Sequence, residues 1–158
     1  MPIYQAPTRD TRFVINEMLR LESYAALPGF ENASADMVDV LVEECGKFCA
    51  EVLAPLNLSG DQEGCTRHAD GTVTTPQGFK QAHAQFREAG WGTLSSPEEF
   101  GGQGLPHVLG FMAEEFISSA NQAWGMYPGL TNGAVSAILA KASPELQAKY
   151  LPRMIANE

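Results

Sequence analysis

An all-α domain with one possible small hairpin near residues 65–75 is the fold class that the sequence predicts, on three observations. Apolar residues recur at three- and four-residue spacing through 38–52, 79–89, 109–120 and 135–142. Helix stop and start residues separate these stretches, chiefly Gly90, Pro106 and the Ser143-Pro144-Glu145 run. One segment alone, 64–76, has the Thr-, Val- and Gly-rich character of extended chain. At 158 residues the chain has the length of a single domain with one core.

The elements follow in order. Residues 1–9 carry two prolines and read as an extended arm. Asp10 or Thr11 is placed to cap a helix with Phe13, Val14, Met18 and Leu21 on its apolar face, closed by Pro28 and Gly29. Ser34 is a good N-cap for a long helix whose stripe is Val38, Leu41, Val42, Cys45, Phe48, Cys49 and Val52. Pro55 breaks or kinks that helix, with a brief continuation over 56–62. Asp70-Gly71 favours a tight turn between short extended segments. Thr75 is then expected to cap a helix through Phe79, Ala82, Phe86 and Ala89 that stops at Gly90. Pro106 opens a helix with Leu109, Met112, Ala113, Phe116, Ile117 and Ala120 inside; a turn near 124–130 leads to another carrying Val135, Ile138, Leu139 and Ala142. The last helix starts at Ser143, with Leu146 and Tyr150 expected inward; Pro152 ends it or begins a short one containing Met154 and Ile155. The domain division is 1–33, an N-terminal extension with one helix, and 34–158, the main helical domain.

Composition excludes several functions. A net charge of −9 with ten Lys and Arg offers no phosphate-binding surface, so no nucleic-acid partner is expected. The most apolar stretch, 108–140, is interrupted by Glu114, Glu115, Asn121, Gln122 and Asn132, which argues against membrane insertion. The first residues lack a signal-peptide pattern, so a cytoplasmic location is expected. Cys45 and Cys49 fall in the apolar helix stripe as core residues, and no metal-ligand spacing brings Cys65 and His68 to them. Gly101, Gly102 and Gly104 lack the rest of a nucleotide-loop motif and read as turn residues. Glu114-Glu115 are adjacent on a helix, about 100° apart, and do not converge as a catalytic carboxylate pair. His68, His83 and His107 read as surface or capping residues, and no Ser/His/Asp arrangement supports a hydrolase.

Gly-Trp-Gly-Thr-Leu at 90–94, Pro-Glu-Glu-Phe-Gly-Gly-Gln-Gly-Leu-Pro at 97–106, Glu114-Glu115 and Ser-Pro-Glu-Leu-Gln-Ala-Lys-Tyr-Leu-Pro at 143–152 occur in that order. Together, over roughly 36–158, they resemble the N-terminal helical domain of the acyl-CoA dehydrogenase family. Tyr4, Ala6-Pro7, Arg9-Asp10 and Arg12-Phe13-Val14 are similar to the extension of the subgroup that includes 3-methylmercaptopropionyl-CoA dehydrogenases, as are His68, Asp70-Gly71, Val73 and 76–79.

The resemblance implies an FAD-dependent enzyme of helical domain, β-domain and C-terminal bundle. Such an enzyme α,β-dehydrogenates an acyl-CoA to a trans-2-enoyl-CoA and passes electrons to an electron-transfer flavoprotein. It implies that the catalytic base and most flavin contacts lie beyond Glu158. No catalytic residue is therefore expected here, no FAD is expected bound to this part alone, and it should be inactive by itself. Trp124, Met126, Tyr127, Gly129 and Leu130 match the family segment along the acyl chain, where bulky side chains shorten a pocket and glycine admits close backbone approach. Packing at a helix–helix turn is the alternative for Trp124 and Tyr127. A homo-oligomer is implied, built mainly through the absent C-terminal region. The alternative to the enzyme part is a stand-alone helical interaction module derived from the family, without catalysis. A third possibility is a relative that binds acyl-CoA without oxidising it.

Overall fold

The structure is a computed structural model and describes residues 3–158. Helices α1 (Thr8–Arg12), α2 (Ala35–Phe48), α3 (Pro55–Glu63), α4 (Phe79–Glu88), α5 (His107–Lys141) and α6 (Pro144–Ile155) account for most of it. The paired strands are β1 (Thr66–Arg67) and β2 (Val73–Thr74), antiparallel with Thr66 opposite Thr74. The all-α expectation with one hairpin therefore holds. No helix among the described residues is long and apolar enough to cross a membrane.

The scaffold of the core is α2. Ser34 is its N-cap, its hydroxyl accepting from the Met37 N–H at 3.3 Å. Val38, Val42, Cys45 and Cys49 are wholly buried, and Phe48 nearly so. Pro55 has no N–H to give and its ring crowds the preceding turn. The chain accommodates it by widening 49–53 into a π-type turn, with Ala54 N–H donating to Cys49 O, and by restarting as α3 with Pro55 in its first turn. The widening advances the register by one residue and brings Leu53, which lies off the expected stripe, fully into the core.

In the hairpin Asp70 Oδ1 accepts from Thr72 N–H at 2.9 Å and from its hydroxyl at 2.7 Å, while Gly71 takes φ +86°. Those two donors hold the Asp70 carboxyl below its usual range. The glycine-rich run 101–104 is a turn. Leu105 N–H reaches Leu94 O and Gly104 N–H reaches Ser96 O, so the loop folds back on itself. Gly102 sits where any Cβ would fall on the Ser96 backbone.

Several expectations are corrected. The first helix begins at Thr8, not at Asp10 or Thr11, and passes into a π-type segment at 13–18. That segment turns Ile15 inward, while Phe13, Val14 and Met18 stay exposed. Arg20, in a left-handed conformation, ends it well before Pro28. The first residue of α4 follows Gly78 at φ +89°, and Thr75 makes no cap. At the C-terminus Leu146 and Tyr150 are exposed, and Leu151 and Ile155 are the buried pair. Pro152 lies inside α6, which continues to Ile155. A second, smaller core forms there, Val135 of α5 meeting Leu151 and Ile155 of α6. Gln147 locks the corner by donating to the carbonyls of Ile138, Leu139 and Ala142 at 3.2–3.3 Å.

The largest departure is in α5. No turn occurs at 124–130. The helix is broken instead at Asn121, whose φ −158° and ψ 87° are extended backbone. The two halves, 107–120 and 122–141, meet at an angle there.

Candidate functional site

Asn121 makes the break. It is 1% exposed, and its side chain satisfies two separated groups. Oδ1 accepts from Trp124 N–H at 3.0 Å, the geometry of an N-cap on the second half. Nδ2 donates to Leu53 O at 3.2 Å, across to the π-type turn. These two partners fix which way the amide points.

A trough opens between the diverging halves, and the residues that meet an added Cβ show its shape. One step from the apex, a Cβ at Gly125 would stand 3.1 Å from Ile117 Cγ2; at Gly129 and Gly133, one and two turns on, it would meet nothing within 4 Å. The halves therefore touch near Asn121 and separate away from it. The trough's third wall is the 91–96 turn. Gly92 is packed so closely against Phe86 and Asn157 that no side chain fits there. Two adjoining hollows fill the trough. The smaller, about 200 Å³, includes Phe86, Ala113, Ile117, Met126, Pro128 and Leu130. The larger, about 350 Å³, includes His107, Phe111, Ser95, Ser96, Gly133 and Ser136. Trp91 lines both; its indole N–H is buried with no acceptor among the described residues.

The five residues expected along an acyl chain do not stand together. Met126 and Leu130, exposed at 50% and 71%, and Gly129 face the trough. Trp124 and Tyr127 point to the other side of the same helix, where with Phe79, Lys80, His83 and Thr75 they frame a separate hollow of about 250 Å³. Trp124 is 1% exposed, donates to Phe79 O at 3.3 Å and packs edge-on to Phe86 with centroids 5.3 Å apart. Tyr127 is edge-on to Phe79, and its hydroxyl lies 3.8 Å from Cys65 Sγ. Burial, then Cys65, raises the Tyr127 phenol, while burial followed by the Arg87 charge lowers His83.

Sequence reasoning missed Gly92, Asn132 and Gly133. Glu114, set aside above because it does not converge with Glu115, is exposed, yet its carboxylate accepts from Asn132 Nδ2 at 3.1 Å and borders both hollows. The missed signal was the spacing of Gly125, Gly129 and Gly133, four apart, which marks one bare helix face.

Residues 37–158 match the model of the acyl-CoA dehydrogenase N-terminal domain. The chain is 41% identical over 152 residues to a 3-methylmercaptopropionyl-CoA dehydrogenase of Ruegeria pomeroyi, covering 96% of this chain and 26% of that protein. It is 31% identical over 158 residues to a butyryl-CoA dehydrogenase of Syntrophomonas wolfei subsp. wolfei, covering 98% and 26%. A mitochondrial isovaleryl-CoA dehydrogenase of Oryza sativa subsp. japonica is 36% identical over 66 residues, 41% of this chain and 16% of that protein. The chain thus spans about a quarter of the length of the first two. By the match over most of its length, set on a broken central helix beside a glycine-lined trough, the chain belongs to the acyl-CoA dehydrogenase family.

Proposed function

We propose that this chain is the helical part of a cytoplasmic flavoenzyme that α,β-dehydrogenates an acyl-CoA thioester to a trans-2-enoyl-CoA, with an electron-transfer flavoprotein as electron acceptor. Its own task is to wall the acyl pocket, and it is inactive alone. The observation that carries this reading is the trough, where Met126, Gly129 and Leu130 meet Ile117, Ala113 and Phe86 on an apolar face. Apolar lining with bare backbone at Gly129 suits an alkyl group, which gains from burial and asks for no hydrogen bonds. Trp124 and Tyr127 support the reading differently: Trp124, in the main core, and Tyr127, exposed but edge-on to the core residue Phe79, brace the trough wall from behind.

A flavin dinucleotide does not fit the trough. Its lining residues include Glu114 and His107 but no Lys or Arg, so a pyrophosphate meets no permanent cation and one carboxylate that repels it. FAD, held by other parts of the protein, would supply the hydride acceptor. The residues here keep water from the acyl chain and hold it in one place.

The test is anaerobic mixing of the flavin-loaded enzyme containing this domain with acyl-CoA thioesters of three to eight carbons. Bleaching of the oxidised flavin is expected. Gly129→Leu, which fills the trough, should lower kcat/KM at least tenfold, the order expected from overpacking by one side chain. A flavin that no acyl-CoA bleaches refutes the reaction. An unchanged kcat/KM in Gly129→Leu refutes the pocket assignment.

A further inference from the structure

The two hollows beside α5 share Trp91, Gly92, Glu114, Gly129 and Asn132, and so form one trough with a waist. At the waist the Asn132 amide donates to Glu114 Oε1 at 3.1 Å, joining the halves of α5 across the opening. Gly129 beside it has no side chain, and a Cβ there would meet nothing within 4 Å. With Gly129 bare, the bridge and the Trp91 ring set the width at that point. The apex side carries Ile117, Met126 and Leu130, while the far side mixes His107, Ser95 and Ser136 with Phe111, Val135 and Leu139.

We propose that the Glu114–Asn132 bridge is a partition that limits how much of an acyl group the trough accepts, making short acyl thioesters the preferred substrates. The proposal rests on the acyl-pocket reading above. A methylene chain offers no donor to the Glu114 carboxylate. To pass the waist it must break the hydrogen bond between Asn132 and residue 114 and leave both polar groups without a partner, which costs more than a methylene returns. Carbons that stop short of the waist each gain about fourfold from burial. Carbons that would cross it must first meet the cost of opening the bridge.

The experiment compares kcat/KM for butyryl-, hexanoyl- and octanoyl-CoA in the flavin-loaded enzyme containing this domain. Each variant is also compared with the wild type by circular dichroism. In the wild type the octanoyl-to-butyryl ratio should be at or below one. Glu114→Ala and Asn132→Ala, each of which removes the bridge from an opposite side, should raise that ratio on the order of tenfold, as two newly buried methylenes would. Glu114→Gln keeps an acceptor for Asn132 and should keep the wild-type ratio. The partition is overturned if both alanine variants keep the wild-type ratio, if Glu114→Gln shifts it as Glu114→Ala does, or if the wild type already favours octanoyl-CoA. An enzyme that turns over none of the three fails the functional reading itself, a result distinct from an unchanged ratio.

Discussion

Asn121→Ala should be among the most damaging single changes on α5, because one side chain closes two structural breaks. Its Oδ1 caps the second half of the helix through Trp124 N–H, and loss of an N-cap costs about 1 kcal/mol. Its Nδ2 satisfies the Leu53 carbonyl, and leaving a buried acceptor without a partner costs about 1–3 kcal/mol. The sum is about 2–4 kcal/mol, with little relaxation available at a site 1% exposed. In urea, with a slope of about 2 kcal/mol per molar, the unfolding midpoint should fall by about 1–2 M. Asn121→Asp separates the two roles. It keeps the cap acceptor but sets a carboxylate oxygen against Leu53 O, so at neutral pH it should be no better than alanine. As pH falls the introduced carboxyl takes up a proton, more readily in the folded state than in the unfolded chain, and becomes a donor. The stability gap between this variant and the wild type should therefore narrow with acidification. A midpoint for Asn121→Ala within about 0.3 M of wild type, or a gap for Asn121→Asp that is flat with pH, would show that Asn121 is not what joins α5 to the π-type turn.

Other consequences are open to simple measurement. Gly102→Ala pushes a methyl into the Ser96 backbone and should cost about 1–3 kcal/mol, read as a melting temperature lower by roughly 3–10 °C. His83 is lowered by burial and by Arg87, so NMR should find its midpoint below the ordinary 6.5. Because the unfolded chain takes the proton first, this histidine's contribution to stability is present above pH 6.5 and is lost as pH falls through the folded midpoint. A His83 midpoint above 6.5 contradicts the burial seen here. Of three cysteines, Cys65 is exposed whereas Cys45 and Cys49 are buried, and contact between those two thiols followed by burial pushes Cys49 far up. A thiol-reactive dye should label one site in the native chain and three in denaturant; three fast-reacting thiols in the native chain would refute the packing of α2.

Much of the fold was legible because local and tertiary signals agree. Ser34 has the right chemistry for a cap, and the stripe from Val38 to Cys49 has one interpretation at helical spacing. Asp70-Gly71 and Gly90 act through their own backbone conformations and need no distant partner. The failures share a different cause. In α6 two stripes compete, Leu146 with Tyr150 and Leu151 with Ile155, each four apart. Contact with Val135 decides for the second, and that contact is invisible in local sequence. The N-terminal helix shows the same ambiguity. Phe13, Val14 and Met18 look like a face until the π-type turn rotates Ile15 inward in their place.

The site shows why a contiguous motif is poor evidence for a contiguous pocket. Residues 124–130 include Pro128 and two glycines, all stronger local breakers than Asn121, so a turn there is the natural expectation. A turn would have gathered Trp124, Met126, Tyr127, Gly129 and Leu130 on one surface. What decides otherwise is a hydrogen bond spanning 68 residues, from Asn121 to Leu53, which draws the break to Asn121 and lets the helix run through Pro128. Once the segment is helical, successive residues turn by about 100°, and Met126, Gly129 and Leu130 must part from Trp124 and Tyr127. The same geometry creates the trough: with the apex at Asn121, glycines at 125, 129 and 133 fall on one face at increasing distance from it. Contact between the halves at Gly125 therefore gives way to open space at Gly129 and Gly133. Moving the break by one residue would swing that face about 100° and put other side chains where the glycines now lie. The shape of the trough is thus set by the position of one buried amide, and its lining by the residues that this position turns inward.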